Sequence, residues 1–83
     1  MRLVIAAPAN GAILKDALKA HLQNDPRVSS LVDLSSPEGT YPQLSFAAAE
    51  EVAAGRADRA LLICGTGVGT AIAANKVRGI RAA

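Results

Sequence analysis

The residues Ala60-Leu61-Leu62-Ile63-Cys64-Gly65-Thr66-Gly67-Val68-Gly69-Thr70 decide how this protein folds. A short apolar run ends in the only cysteine of the sequence. Glycine then takes every second position, and the small-residue stretch Ala71-Ile72-Ala73-Ala74-Asn75 follows at once. Strand, glycine turn and helix start, in that order, is the layout that leaves backbone N–H groups free around an anion. The cysteine stands where a reacting atom would be.

The residues upstream repeat the same unit. Leu3-Val4-Ile5 is apolar without alternation, as in a strand buried on both faces. Pro8-Ala9-Asn10-Gly11 reads as a turn, with Asn10 as the helix N-cap. Ile13, Leu14, Ala17, Leu18, His21 and Leu22 recur at three and four residues and predict an amphipathic helix over 12–23, ended by Asn24-Asp25-Pro26. Val28 to Leu34 reads as a second strand and Ser35 to Thr40 as a loop of turn formers. Pro42 opens a second helix, marked by Leu44, Ala47, Ala48, Glu51 and Val52, with Gly55 as its C-cap. The third strand is Ala60 to Cys64. A third helix runs to about Lys76, Gly79 breaks it, and Ile80 to Ala83 starts a fourth strand.

Strands alternating with helices imply one α/β domain over 1–83, with a parallel sheet, right-handed crossovers and helices on both faces. A fourth strand of only four residues is a poor domain end, so the sequence reads as part of a longer domain. Ligands of such sheets bind beyond the carboxyl ends of strands. Ala7 to Gly11 and Cys64 to Gly69 are the two candidates, and they are neighbours if the first and third strands pair.

Composition excludes several function classes. The 83 residues carry a net charge of only +2 and 2% aromatics, which offers nucleic acid neither a strong field nor a stacking platform. No apolar run reaches the ~20 residues that span a bilayer, and the N-terminus lacks the pattern of a signal peptide. One cysteine cannot form an internal disulfide, which suits a reducing, cytoplasmic setting. Arg56, Arg59, Lys76, Arg78 and Arg81 gather late and read as a solvated surface rather than a phosphate patch. His21 has no second ligand at metal-site spacing and reads as a boundary or surface residue.

Three readings of the glycine loop remain open. A dinucleotide fingerprint would be G-x-G-x-x-G after the first strand with a later acid, whereas Gly65-x-Gly67-x-Gly69 follows the third. A structural turn would make Cys64 a small buried hydrophobe. The third reading is proton transfer beside a carbonyl. Cys64 as thiolate abstracts a proton from carbon, and the N–H groups of Gly65 to Gly69, including that of Val68, hold the enediolate oxyanion. The Thr66 hydroxyl adds a donor or shuttles a proton.

At these residues the sequence resembles the type B ribose-5-phosphate isomerases and galactose-6-phosphate isomerases. The resemblance is close in Leu62 to Gly69, in Ile72-Ala73-Ala74-Asn75-Lys76 and in Gly79-Ile80-Arg81-Ala82, with weaker echoes in Ile13-Leu14-Lys15 and Tyr41-Pro42. It implies a Rossmann-like three-layer αβα sandwich and a homodimer or homotetramer with the active site shared between subunits. It also implies aldose–ketose isomerisation of a sugar phosphate through a cis-enediolate, with no metal or organic cofactor. Cys64 matches the family's base, Gly65 to Gly69 its anion hole and Thr66 the assisting residue. Some members lack the cysteine and carry a glutamate at the position of Thr70. Tyr41 and Asn10 are candidate substrate contacts.

Two departures accompany the resemblance. Pro8 and Ala9 stand where the family has an Asp-His pair that binds the sugar, leaving Asn10 as the nearby polar substitute. An open-chain four-carbon keto-sugar phosphate would need no ring-opening group there. The family's later histidine and its phosphate-binding arginines come from beyond the matched segment. The rival expectation is a non-catalytic subunit or sugar-phosphate binding module of the same fold.

Overall fold

The computed structural model describes residues 1–83. Strands β1 (Arg2–Ala6), β2 (Ser30–Asp33) and β3 (Arg59–Leu62) form a parallel sheet in the order β2-β1-β3. Leu3 stands opposite Leu31 on one side and Arg59 on the other, and Ala6 opposite Leu62. Helices α1 (Ala12–Gln23), α2 (Tyr41–Ala53) and α3 (Val68–Ala74) complete the fold, with a 3₁₀ turn at Ala9–Gly11 before α1.

β1 is the central strand, which explains its unbroken apolar run: Val4, Ile5 and Ala6 are all buried. Val4 packs with Ala48 and Ala57 beneath α2, whereas Ile5 packs with Ala7, Ile63 and Leu18 of α1 on the other face. Alternate side chains of one strand thus feed two cores, and the fold is the expected three-layer αβα sandwich with a Rossmann-like parallel sheet.

Four local expectations are corrected. Asn10 does not cap α1. Gly11 precedes that helix and offers no capping group, and the 3₁₀ turn closes through the Gly11 N–H on the Pro8 carbonyl at 2.9 Å. The α1 stripe is also rotated: Ile13 is 91% and Leu14 55% exposed, while Lys15 is buried and Leu18 and Leu22 half-buried. An ion pair turns the helix this way. Lys15 Nζ reaches Asp33 Oδ2 at the end of β2 at 2.8 Å, so its stem lies against the sheet. On α2, Ala47 is exposed and Ser45 and Ala49 take its place in the packed face.

The fourth correction concerns Ile80 to Ala83, which form no strand. A groove of about 460 Å³ separates them from β3. They are held instead by Asn75, whose Nδ2 donates to the Ala82 carbonyl at 3.0 Å and whose Oδ1 accepts from the Ala82 N–H at 2.8 Å.

Other signals hold. α2 begins with Pro42 in its first turn, and Thr40 and Gln43 form a capping box that satisfies two end groups. Gly55 follows α2 with φ +79°, the left-handed conformation of a C-terminal glycine. His21 lies exposed on α1, and Arg56, Arg59, Lys76, Arg78 and Arg81 are all exposed.

Candidate active site

The pairing of β1 with β3 brings the two candidate loops together at the carboxyl edge of the sheet. Gly11 makes the approach possible: a Cβ there would lie 2.8 Å from the Ile63 carbonyl oxygen. Asn10 is thereby carried over the second loop, with its Nδ2 only 3.2 Å from where a Cβ on Gly65 would be. The first loop is pinned from behind. The Ala7 N–H donates to Ser35 Oγ at 2.9 Å, and the Ser35 N–H to Asp33 Oδ1 at 2.9 Å.

A cleft of about 470 Å³ opens between the loops, lined by Pro8, Asn10, Tyr41, Cys64, Gly65, Thr66, Val68 and Gly69. Every residue expected at the site lines it except Gly67. Gly67 instead adopts φ +79° and turns its N–H onto Cys64 Sγ at 3.1 Å. The same turn folds the start of α3 back over the strand end and brings Thr70 Oγ1 to 3.6 Å from Cys64 Sγ. Thr70 is buried, and its hydroxyl also donates to the Gly67 carbonyl at 3.0 Å.

These contacts favour the thiolate. The Thr70 hydroxyl acts most strongly, partial burial opposes it, and the Gly67, Thr66 and Thr70 amides add to it; the thiol is held below its ordinary range. Thr66 Oγ1 accepts the Val68 N–H at 3.2 Å, which leaves its own proton available to the cleft. The N–H groups of Gly65 and Gly69 donate to no protein acceptor and remain open to a ligand. Tyr41 lies across the mouth of the cleft against Gly69.

Of these residues, Thr70 stands out in the sequence only as the position where some members of the resembled family carry a glutamate, with no role of its own. Its contact with Cys64, six residues earlier, arises once the left-handed Gly67 has reversed the backbone. Ala9 is exposed and does not line the cleft, so of the two positions that depart from the family pattern only Pro8 faces it.

The family model described as Ribose/Galactose Isomerase matches residues 3–83. The chain belongs to this family. Its similarity to a D-erythrulose-4-phosphate isomerase 2 of Mycolicibacterium smegmatis is 51% identity over 99% of its own length and 57% of that protein. With ribose-5-phosphate isomerase B of Escherichia coli it shares 47% identity over 87% of its own length and 49% of that protein. The solved structure of Clostridium thermocellum ribose-5-phosphate isomerase B superposes with a TM-score of 0.89 at 36% identity, covering 98% of the present protein and 55% of that one. The chain spans about half the length of the curated relatives it matches.

Proposed function

We propose that this protein is an aldose–ketose isomerase of a small sugar phosphate, with Cys64 as the carbon base and the 65–69 loop as the anion hole. The observation that carries the reading is the Cys64 sulfur, held by the Gly67 N–H at 3.1 Å at the edge of a cleft. The uncommitted Gly65 and Gly69 N–H groups lie beside it. In this reading the thiolate takes the proton from the hydroxyl-bearing carbon next to the substrate carbonyl. The electron pair moves into a carbon–carbon double bond, and the carbonyl oxygen becomes an enediolate oxygen held by the free N–H groups of Gly65 and Gly69. Those of Gly67 and Val68, also expected in the hole, are given to Cys64 Sγ and Thr66 Oγ1. Such donors contribute roughly 3 kcal/mol each. Return of a proton from sulfur to the former carbonyl carbon completes the transfer, and exchange of the sulfur-bound proton with solvent in part of the turnovers lets solvent label enter. Thr66 assists the matching proton shift between the two oxygens.

Pro8 and Ala9 point to an open-chain substrate, because neither residue has a group that can ionise to open a sugar ring. The 51% identical relative named for a four-carbon keto-sugar phosphate supports the same class. Tyr41 and Asn10 bound the cleft and would meet the sugar hydroxyls. The working unit we infer is a homodimer or homotetramer in the cytoplasm. Ile13, Val68 and Ile72, at 91%, 60% and 57% exposure, suit burial against another copy.

The test is solvent exchange. The full-length protein incubated with D-erythrulose 4-phosphate in deuterated water should label the abstracted position, and Cys64→Ala should stop the labelling without unfolding the protein. Labelling that survives in Cys64→Ala removes Cys64 from the mechanism. The rival binding-module reading rests on the Pro8-Ala9 departure. It predicts that the purified wild-type protein alone turns over none of the four-, five- and six-carbon aldose and ketose phosphates.

A further inference from the structure

The Thr70 hydroxyl has one proton and two acceptors within reach: the Gly67 carbonyl at 3.0 Å and the Cys64 sulfur at 3.6 Å. It cannot donate to both. If the sulfur carries a proton, the S–H donates to Thr70 Oγ1 and the hydroxyl donates onward to the Gly67 carbonyl. If the sulfur is a thiolate, that S–H bond is gone and the charged sulfur becomes the stronger acceptor. A rotation about the Thr70 Cβ–Oγ1 bond then brings the hydroxyl proton to the sulfur. The Gly67 carbonyl keeps the Ala71 N–H, at 3.1 Å, in either state.

We propose that Thr70 is a positioning residue for Cys64, a hydroxyl rotor that satisfies the sulfur in both of its protonation states. The proposal rests on the reading of Cys64 as the carbon base, since that role requires the sulfur to gain and lose a proton in each turnover. Thr70 exchanges no proton with the substrate. The proton on sulfur comes from one substrate carbon and returns to its neighbour, while the Thr70 proton stays on its oxygen and changes only its acceptor. Burial matters here: Thr70 is only 3% exposed, so the two protein acceptors govern where its hydroxyl points. The Gly67 N–H complements it from the other side, fixing the sulfur at 3.1 Å whatever its charge.

Few charges compete with this control. Tyr41 is the other titratable residue lining the cleft, and Asp58, Arg59 and Arg81 line the groove on the opposite side of Thr70. The position therefore reads the hydroxyl more directly than it reads a neighbouring charge.

The experiment compares Thr70→Ser, Thr70→Val and Thr70→Ala in the full-length protein. Alkylation of Cys64 by iodoacetamide is followed against pH by mass spectrometry of the peptide that contains it. Thr70→Ser keeps the hydroxyl and should keep the wild-type midpoint. Thr70→Val keeps the volume but not the hydroxyl. Its midpoint should rise by about one pH unit, which slows alkylation roughly tenfold at pH values well below the midpoint. Thr70→Ala should match Thr70→Val and serves in its place if valine does not fold. A wild-type midpoint in the variants without a hydroxyl overturns the proposal, as does an equal shift in Thr70→Ser. In turnover, the same variants should lower kcat and move the acid limb of its pH profile upward while KM changes little. The alkylation readout needs no substrate, so it judges Thr70 even if Cys64→Ala retains exchange and the isomerase reading fails.

Discussion

The ring of Tyr41 occupies the space that a side group on Gly69 would need. A Cβ on Gly69 would lie 2.6 Å from Tyr41 Cε1 and 2.9 Å from Cζ. The contact joins the first turn of α2 to the first turn of α3 and closes one side of the cleft. Gly69→Ala must therefore displace the ring. Tyr41 is 45% exposed, so its ring can swing toward solvent at less than the cost of core overpacking, about 1–3 kcal/mol. Against this stands a helix-propensity gain of up to about 1 kcal/mol for alanine over glycine. The expected result is a near-neutral change in the wild-type background and stabilisation in a Tyr41→Ala background. Denaturant titration of the four proteins measures the coupling, and additive effects would show that the ring yields without cost.

A second expectation concerns the ion pair that turns α1. Burial disfavours the Asp33 carboxylate, but hydrogen bonds from Lys15, Ser35 and Lys19 outweigh it and hold the carboxyl well below the usual range. Lys15 is raised by its hydrogen bonds to Asp33 and Asp16. Asp33→Asn leaves the buried Lys15 with only exposed Asp16 as a charged partner, at 2.9 Å. Removing one member of a fully buried pair costs about 3–5 kcal/mol; here the remaining partner reduces it to about 2–3 kcal/mol. The sign with pH follows from the lowered carboxyl. Its contribution is complete above the unfolded value near ~3.9 and is lost as pH falls through the folded one. The stability gap between wild type and Asp33→Asn should thus be widest at neutral pH and shrink below about pH 4. A gap independent of pH would assign the effect to packing.

The same ion pair explains one limit of the sequence. Hydrophobic periodicity finds α1 but counts Lys15 as a solvent residue, and only Asp33, on the next strand, draws it inward. Ile13 and Leu14 then turn outward against the pattern. By contrast, Leu3 to Ile5 and the 64–69 loop are legible, because an unalternating apolar run and alternating glycines each leave few backbone solutions. Cys64, Gly65, Thr66, Val68, Gly69, Asn10 and Tyr41 do meet in one cleft. Thr40 escapes notice as a cap since Pro42 alone accounts for the start of α2. The strand expected from Ile80 fails because a strand is defined by its partner, and the groove keeps β3 out of reach. Thr70 stands out in the sequence only through the resemblance, as the position where some members carry a glutamate; its contact with Cys64 is not legible, because it depends on a dihedral angle three residues away.

Asn75 offers a test at single-atom resolution. Its amide clamps both backbone groups of Ala82, one through Nδ2 and one through Oδ1. Asn75→Asp keeps an acceptor for the Ala82 N–H but sets a carboxylate oxygen against the Ala82 carbonyl in place of the donor, whereas Asn75→Ala loses both bonds without that repulsion. Hydrogen exchange at the Ala82 amide should accelerate in both variants. Each lost bond costs about 0.5–1.5 kcal/mol, so acceleration of roughly tenfold is the scale to look for. Wild-type protection in both variants would mean that other contacts hold the segment.

Gly67 and Gly55 provide a matched pair of substitutions. Both have φ +79°, and a Cβ on either would have no atom within 4 Å. Alanine therefore meets backbone strain alone at both positions, about 1–2 kcal/mol for the left-handed conformation. The two differ in what the backbone does: the Gly67 N–H donates to Cys64 Sγ, while the Gly55 N–H closes the end of α2 on Val52 at 3.1 Å. Gly55→Ala and Gly67→Ala should lose similar stability in denaturant titrations. Only Gly67→Ala should change the pH dependence of Cys64 alkylation, and the sign is fixed: as strain draws the N–H off the sulfur, the thiolate loses a donor and the midpoint rises. A midpoint that moves equally in Gly55→Ala would trace the effect to global loosening and not to the loop.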